Sequence, residues 1–165
     1  MKVNQAGQKL NQPGPSRIVN EPFRQMLYTI EFLQDMNPIP RLLKKILLKF
    51  ALFALLITFM AEQLLSDSTH WNKNDDRICE SDLDSNCWSL FCALKHSSIT
   101  IMNEYNHHNN TAMQTVRNII TEINPDFEFG HTLMDFNNFP QNKYEDIINV
   151  IRKAKERINY NLNKN

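Results

Sequence analysis

Residues 46–65 read ILLKFALFALLITFMAEQLL and form the most apolar stretch of the chain. Its twelve central positions carry no charge, and 20 residues of α-helix, at about 1.5 Å each, make roughly 30 Å, the thickness of bilayer hydrocarbon. Lys49 and Glu62 lie near its two ends, where long side chains reach the lipid headgroups at reduced cost. The pattern favours a transmembrane helix over residues 41–65, and a helix buried inside a larger helical domain is the alternative.

Basic residues gather on the N-terminal side of this stretch and set the expected topology. They are Arg41, Lys44, Lys45 and Lys49. Residues 1–45 contain seven Lys/Arg and three acidic residues, whereas residues 66–165 contain ten Lys/Arg and fourteen acidic residues. Because Lys and Arg stay preferentially on the cytosolic side, we expect a retained signal anchor with a cytosolic N-terminus and a luminal or extracellular C-terminus.

Two other destinations fit parts of the same pattern. Read from Met36, the chain has the basic, apolar and small-residue regions of a secretory signal, whose cleavage would release residues from about 67 onward. Residues 1–20 contain no acidic residue, which is also a feature of mitochondrial presequences. A secreted protein and a protein of the mitochondrial inner membrane are therefore the alternatives.

The segment before the apolar stretch divides into two parts. Residues 1–21 are rich in Asn, Gln, Gly and Pro, a composition typical of a disordered tail. Residues 22–40 begin with apolar residues at helical spacing and end in a Pro-rich break, so we expect a short amphipathic helix there. This helix is expected to lie on the membrane interface or to pack against a partner.

Residues 66–165 carry three helical patterns, which predict an all-α bundle. The patterns run over 85–105, 111–124 and 143–162, and Ser97–Met102 in the first is also compatible with a short strand. Thr111 is expected to cap the second helix, and Asn142 with Glu145 the third. Residues 125–141, which contain four Phe, are expected to be a connection that covers the bundle or receives a partner.

All three cysteines follow the apolar stretch, which suits an oxidising compartment. Cys87 and Cys92 are five positions apart on an expected helix, too far for a bridge with each other. We therefore predict a Cys79–Cys87 disulfide and leave Cys92 as a buried thiol or an intermolecular link. Free cysteines throughout, as in a reducing compartment, are the alternative.

Asn109, in the tripeptide Asn-Asn-Thr, is the predicted glycosylation site. It lies in a polar stretch between two expected helices, where a transferase has access. Its position after the apolar stretch agrees with a luminal or extracellular C-terminus.

Several function classes lack support in the sequence. Three Gly in 165 residues leave no Gly-rich phosphate loop, and 18 basic against 18 acidic residues offer no positive excess for nucleic acid. Cys92 and His96 form the best nucleophile–base candidate, but no third residue that would orient the base can be assigned. The histidines show no metal-binding spacing. We assign no catalytic, metal or cofactor site and do not expect an enzyme.

The sequence thus predicts a small single-pass type II membrane glycoprotein. Its C-terminal helical domain is expected to act as a protein-interaction module, with membrane lipid and an unidentified protein as partners. The alternatives are a secreted helical protein and a single-span accessory subunit of a membrane complex.

Overall fold

Six α-helices make up most of residues 41–103 and 110–164, the part of the chain that the computed structural model describes. They are α1 (Arg41–Leu64), α2 (Cys79–Ser85), α3 (Leu90–Met102), α4 (Thr111–Ile123), α5 (Thr132–Asn138) and α6 (Tyr144–Lys164), with a 3₁₀ turn at Ser68–His70. These residues contain no strand beyond a two-residue bridge between Trp71 and Trp88. The all-α prediction is confirmed for this part of the chain.

Side-chain caps fix where the helices begin. The Ser89 hydroxyl accepts a hydrogen bond from the Cys92 amide at 3.2 Å at the start of α3. Asn110, and not Thr111 as predicted, caps α4 by accepting from the Met113 amide at 3.1 Å. Each cap satisfies an amide at a helix start that has no partner within its own helix.

The start of α6 also differs from the prediction. The Asp146 carboxylate accepts from the Lys143 amide at 2.8 Å, so Asp146 takes the role expected of Glu145. Asn142 instead donates to the Phe136 carbonyl at 2.7 Å and joins α6 to the end of α5. The capping motif is shifted by one residue because the helix begins at Tyr144.

The core lies where α1, α3, α4 and α6 meet. Helix α1 packs mainly against α3 and α6, and α6 also packs against α4. The largest fully buried apolar side chains are Ile57, Leu65, Leu90, Leu94, Met113, Val116, Ile120, Leu133, Phe136, Ile147, Val150 and Ile151. Helices α4 and α6 supply six of these twelve side chains, and Ile123 at the end of α4 is exposed.

The C-terminal half of α1 belongs to this core. Ala54, Ile57, Ala61 and Leu65 are almost completely buried against the other helices. The Tyr144 hydroxyl donates to the Leu65 carbonyl at 2.7 Å and holds the end of α1 against the start of α6. The sequence pattern predicted a bundle that begins at residue 66. The structure shows that the bundle also includes residues before position 66.

A polar cluster holds the segment between α1 and α3 in place. Asn137, fully buried in α5, accepts from the Trp71 indole at 2.9 Å and from the Leu90 amide at 3.0 Å. Its amide nitrogen donates to the carbonyls of Asn72 and Lys73 at 3.0 and 3.1 Å. One side chain thus joins three separate parts of the chain and satisfies its own buried groups.

Two of the predicted elements differ in extent or type. The first pattern of the C-terminal region forms a helix only from Leu90 to Met102, and Ser97–Met102 within it is helical and not a strand. Two short helices were not predicted: α2 lies between Cys79 and Cys87, the pair predicted to be bridged, and α5 lies in the Phe-rich connection. Both are seven residues long, too short for a clear apolar stripe.

In residues 41–103 and 110–164, no helix combines the length and the apolar character needed to cross a membrane. The predicted transmembrane role of residues 41–65 is therefore unconfirmed. The predicted tail at 1–21 and the amphipathic segment at 22–40 lie outside the described residues.

Candidate functional site

Helix α1 presents a row of exposed apolar side chains opposite its buried side. Leu48, Leu52, Leu56 and Phe59 follow one another at spacings of four, four and three residues and therefore share one side of the helix. They are 41–55% exposed, whereas Ala54, Ile57 and Ala61 on the opposite side are buried. We call these four exposed residues the outer face of α1.

The exposed apolar surface extends to the N-terminal end of the helix. Leu42, Ile46, Leu47 and Phe50 are exposed as well, but helical periodicity places Ile46, Leu47 and Phe50 on other sides of α1 than the outer face. With roughly 100 Å² of apolar area per side chain and about half of it exposed, the eight side chains together expose roughly 400 Å², of which the outer face contributes about half.

The same half of α1 carries only positive charge. Lys44, Lys45 and Lys49 are exposed, and the helix has no Asp or Glu before Glu62. The ammonium of Lys49 lies 5.4 Å from the centre of the Phe53 ring, so its stem runs along apolar surface. Arg41 begins the helix. The four residues predicted to set the topology therefore all lie on the N-terminal part of α1.

The first acidic residue of α1 is engaged within the bundle. Glu62 accepts a hydrogen bond from the Arg152 side chain at 2.9 Å and forms an ion pair with Lys155, both on α6. The Lys155 ammonium also lies 5.7 Å from the centre of the Phe59 ring at the end of the outer face. Glu62 therefore does not offset the positive charge at the other end of the helix.

The disulfide differs from the predicted pairing. Cys79 is bonded to Cys92, with their Cα atoms 5.3 Å apart, and Cys87 is a free thiol. The prediction assumed that Cys87 and Cys92 share a helix, but α3 begins only at Leu90 and α2 brings Cys79 beside it. Cys87 precedes α3, and its sulfur donates to the Thr69 carbonyl at 3.2 Å.

The candidate catalytic pair is not available in this arrangement. Cys92 is bonded to Cys79 and carries no thiol. The His96 ring lies 4.8 Å from the ring centre of Trp88. Within residues 41–103 and 110–164, no three His, Cys, Asp or Glu side chains are grouped so as to hold a metal ion.

The predicted glycosylation site lies beside a well-packed helix start. Asn109 itself falls outside the described residues. The next residue, Asn110, is buried, and its amide nitrogen donates to the Ser98 hydroxyl at 2.6 Å. Thr111, the third residue of the tripeptide, opens α4.

A buried carboxylate in the segment before α2 had no signal in the sequence. Asp75 is 5% exposed, and one of its oxygens accepts from the Arg77 amide at 2.7 Å. Its other oxygen, Oδ2, is buried and has no hydrogen-bond partner. Burial raises the pKa of this carboxyl above its ordinary value because the charged form is poorly solvated there.

A shallow groove runs between α4 and α6 on another side of the bundle. It has a volume of about 400 Å³ and is lined by Ile119, Glu122, Ile123, Lys153, Glu156, Arg157 and Tyr160. Arg157 forms two hydrogen bonds of 2.6 Å with Glu122 across it. Ile123 and Tyr160 are exposed along its sides, so the groove combines apolar surface with both signs of charge.

The Phe-rich connection folds back on itself. Phe136 is buried in α5, and Phe127, Phe129 and Phe139 form a cluster with ring centres 4.7–6.4 Å apart. Of the four rings, only that of Phe127 is exposed. Phe136 and Phe129 pack in or against the core, whereas Phe127 is exposed, so the connection covers the bundle in part.

Comparison with known proteins gives a family without an assigned role. The model of DUF6197, a family of unknown function, matches residues 57–157, and the chain belongs to this family. No curated protein and no solved structure matches the chain. The matched residues cover the bundle from the second half of α1 to most of α6.

Proposed function

We propose that this member of the DUF6197 family is a membrane-attached protein whose helical domain binds a protein partner. The observation that carries the attachment is the exposed apolar surface of α1 next to Lys44, Lys45 and Lys49. Helices that combine a large apolar face with basic residues bind at the boundary between headgroups and acyl chains. Helix α1 is the attaching element in this proposal.

The packing of α1 favours attachment along the membrane surface. Ala54, Ile57 and Ala61 fill the core of the bundle, so their side of the helix is occupied, while Leu48 and Leu52 face away from it. A helix lying at the interface keeps the bundle contacts and buries the outer face. A helix spanning the bilayer would have to leave the bundle and expose its core.

The spanning arrangement is the second candidate, because the basic cluster at 41–49 precedes the apolar stretch as in a signal anchor. In that form the protein is a type II membrane protein, with the domain outside the cytosol and Asn109 glycosylated. A secreted form and an accessory subunit of a membrane complex remain the further alternatives.

Binding of the full chain to phosphatidylcholine vesicles, measured by flotation, tests the attachment. We expect the wild type to float with the vesicles and the double variant Leu48→Gln/Leu52→Gln to bind about 30-fold more weakly. This estimate follows from losing about half the burial energy of two leucines. Ile78→Gln/Leu83→Gln is the matched control, because those residues are also exposed but lie outside α1. Equal binding by both variants and the wild type would reject α1 as the attaching element.

Alkaline carbonate extraction with glycosidase treatment distinguishes the two arrangements. In cells expressing the full chain, we expect an interfacial protein to be released from membranes without a glycan. Retention in the pellet with a shift that is lost in Asn109→Gln would favour the type II form. A shifted band in the medium would indicate secretion, and migration with a large assembly on native gels would indicate an accessory subunit.

The groove between α4 and α6 is the proposed surface for the protein partner. It lies outside the outer face of α1, and it pairs exposed Ile123 and Tyr160 with charged side chains, as interfaces often do. We expect a photo-reactive amino acid at position 123 to give a discrete cross-linked product in cells. The same amino acid in place of exposed Glu145, at the other end of α6, should not. Matching products from both positions would exclude the groove as the specific contact.

A further inference from the structure

We infer that α1 recognises anionic phospholipid, and not merely apolar membrane, through the lysines on its N-terminal half. This inference rests on the proposed membrane attachment. Lys44, Lys45 and Lys49 are exposed, and the described side chains of α1 include no negative charge before Glu62. The bilayer surface that matches this helix is therefore one that carries negative headgroups.

The lysine side chains can reach the headgroups if the outer face enters the membrane. Lys45 and Lys49 precede Leu52 by seven and three positions, so helical periodicity places them on the same side as Leu48 and Leu52. Lys44 is adjacent, about 100° further round the helix. Long lysine stems keep contact with apolar surface while the ammonium groups reach up to the phosphates.

Two further features strengthen the positive potential at this end. The first turn of α1 has no acidic residue, so no side chain of that turn offsets the partial positive charge of the helix N-terminus. The one acidic side chain of the helix, Glu62, is paired with Arg152 and Lys155 at the opposite end. The positive charge near Lys44 is thus unopposed within its own helix.

An anionic bilayer also accounts for the apolar residues. A nucleic acid or an acidic protein surface would match the lysines but would leave Leu48 and Leu52 in water or against phosphates. A neutral bilayer would bury the leucines but gain nothing from the charge. Only a surface with both properties satisfies the two sets of side chains together.

The experiment compares flotation of the full chain with phosphatidylcholine vesicles and with phosphatidylcholine vesicles that contain phosphatidylserine. We expect the wild type to bind the phosphatidylserine vesicles on the order of 100-fold more tightly at low salt. This follows from about fivefold per lysine near an anionic surface. Raising the salt to about 1 M, where the Debye length falls to about 3 Å, should remove most of this preference.

The triple variant Lys44→Gln/Lys45→Gln/Lys49→Gln should lose the preference and keep its binding to neutral vesicles. Its control removes charge from exposed Lys143 and Lys164, which lie on or next to α6 and outside the groove lining, and should keep the preference. Circular dichroism checks that each variant is folded. If wild type and triple variant prefer phosphatidylserine equally, the lysines do not provide the recognition.

The two proposals fail in different ways. Equal binding of the wild type to both kinds of vesicle would overturn the lipid preference and leave the attachment standing. Absence of binding to either kind would overturn both the attachment and the preference.

Discussion

The buried carboxylate of Asp75 is expected to make the stability of the fold depend on pH. Burial is the main cause of its raised pKa, and the charges of Asp82 and Asp76 add to it, although the hydrogen bond from the Arg77 amide acts to lower it. The folded-state pKa lies above the unfolded value near 3.8. At pH values between the two, the folded protein therefore binds more protons than the unfolded protein. Its favourable contribution is therefore complete below the unfolded pKa and is lost as the pH rises through the folded pKa.

We expect Asp75→Asn to stabilise the protein near neutral pH by about 1 kcal/mol, because the neutral amide avoids the cost of a buried charged carboxylate. The amide oxygen of Asn keeps the hydrogen bond from Arg77, and the buried charge is removed. Thermal unfolding of wild type and variant near pH 4 and near pH 7 should show a gain that grows with pH. Asp76→Asn, at an exposed neighbour, is the control. A gain independent of pH would contradict the assignment.

Single residues were the least predictable level of the structure. Asn137 joins Trp71, Leu90 and the carbonyls of Asn72 and Lys73 across more than 40 positions of sequence, and no local pattern marks it. The disulfide partner of Cys79 was also mispredicted, because pairing depends on where α2 and α3 meet. Both features depend on how separate elements pack against each other, which composition and spacing do not encode.

Helices with a continuous apolar stripe were predictable at the level of the element. The patterns at 111–124 and 143–162 correspond to α4 and α6, whose apolar stripes supply much of the core. Each repeats often enough to stand out against chance. The short helices α2 and α5 were missed, because seven residues hold too few apolar positions to show a period.

The cap of α4 gives a test at this scale. We expect Asn110→Ala to destabilise the protein by about 2 kcal/mol. The substitution removes both the capping hydrogen bond from the Met113 amide and the buried hydrogen bond to the Ser98 hydroxyl. Thr111→Ala, at the residue that the sequence had suggested as the cap, should cost much less. Urea unfolding of unglycosylated protein measures both. A larger effect at position 111 would show that the cap is misassigned.

Across the whole molecule, α1 shows why an apolar stretch alone leaves its environment undetermined. Its apolar composition is compatible with a membrane environment. The same composition also suits the core of the bundle, where Ile57 and Ala61 are buried. The packing of α1 in the bundle depends on the complementary apolar stripes of α3 and α6, and α6 lies about 90 positions away in sequence. The side of α1 that these helices leave uncovered is the side we propose for the membrane.

The Glu62 ion pairs test how firmly α1 is held in the bundle. The Glu62 side chain is 15% exposed, whereas Glu122, which pairs with Arg157 on the same helix α6, is 54% exposed. We expect Glu62→Gln to lower the free energy of unfolding by about 2 kcal/mol, since it leaves Lys155 partly buried without its carboxylate. Glu122→Gln should cost at most about 1 kcal/mol, because exposed pairs contribute little.

Hydrogen exchange then shows which part of the molecule responds. Loss of the Glu62 pairs should increase exchange mainly in the second half of α1 and in the facing part of α6, because these pairs join the two elements. Uniform change over the bundle would mean that α1 unfolds only with the whole domain. In that case detachment of α1, which the spanning arrangement requires, would cost the full stability of the fold, and attachment along the membrane surface would be the arrangement compatible with a folded domain.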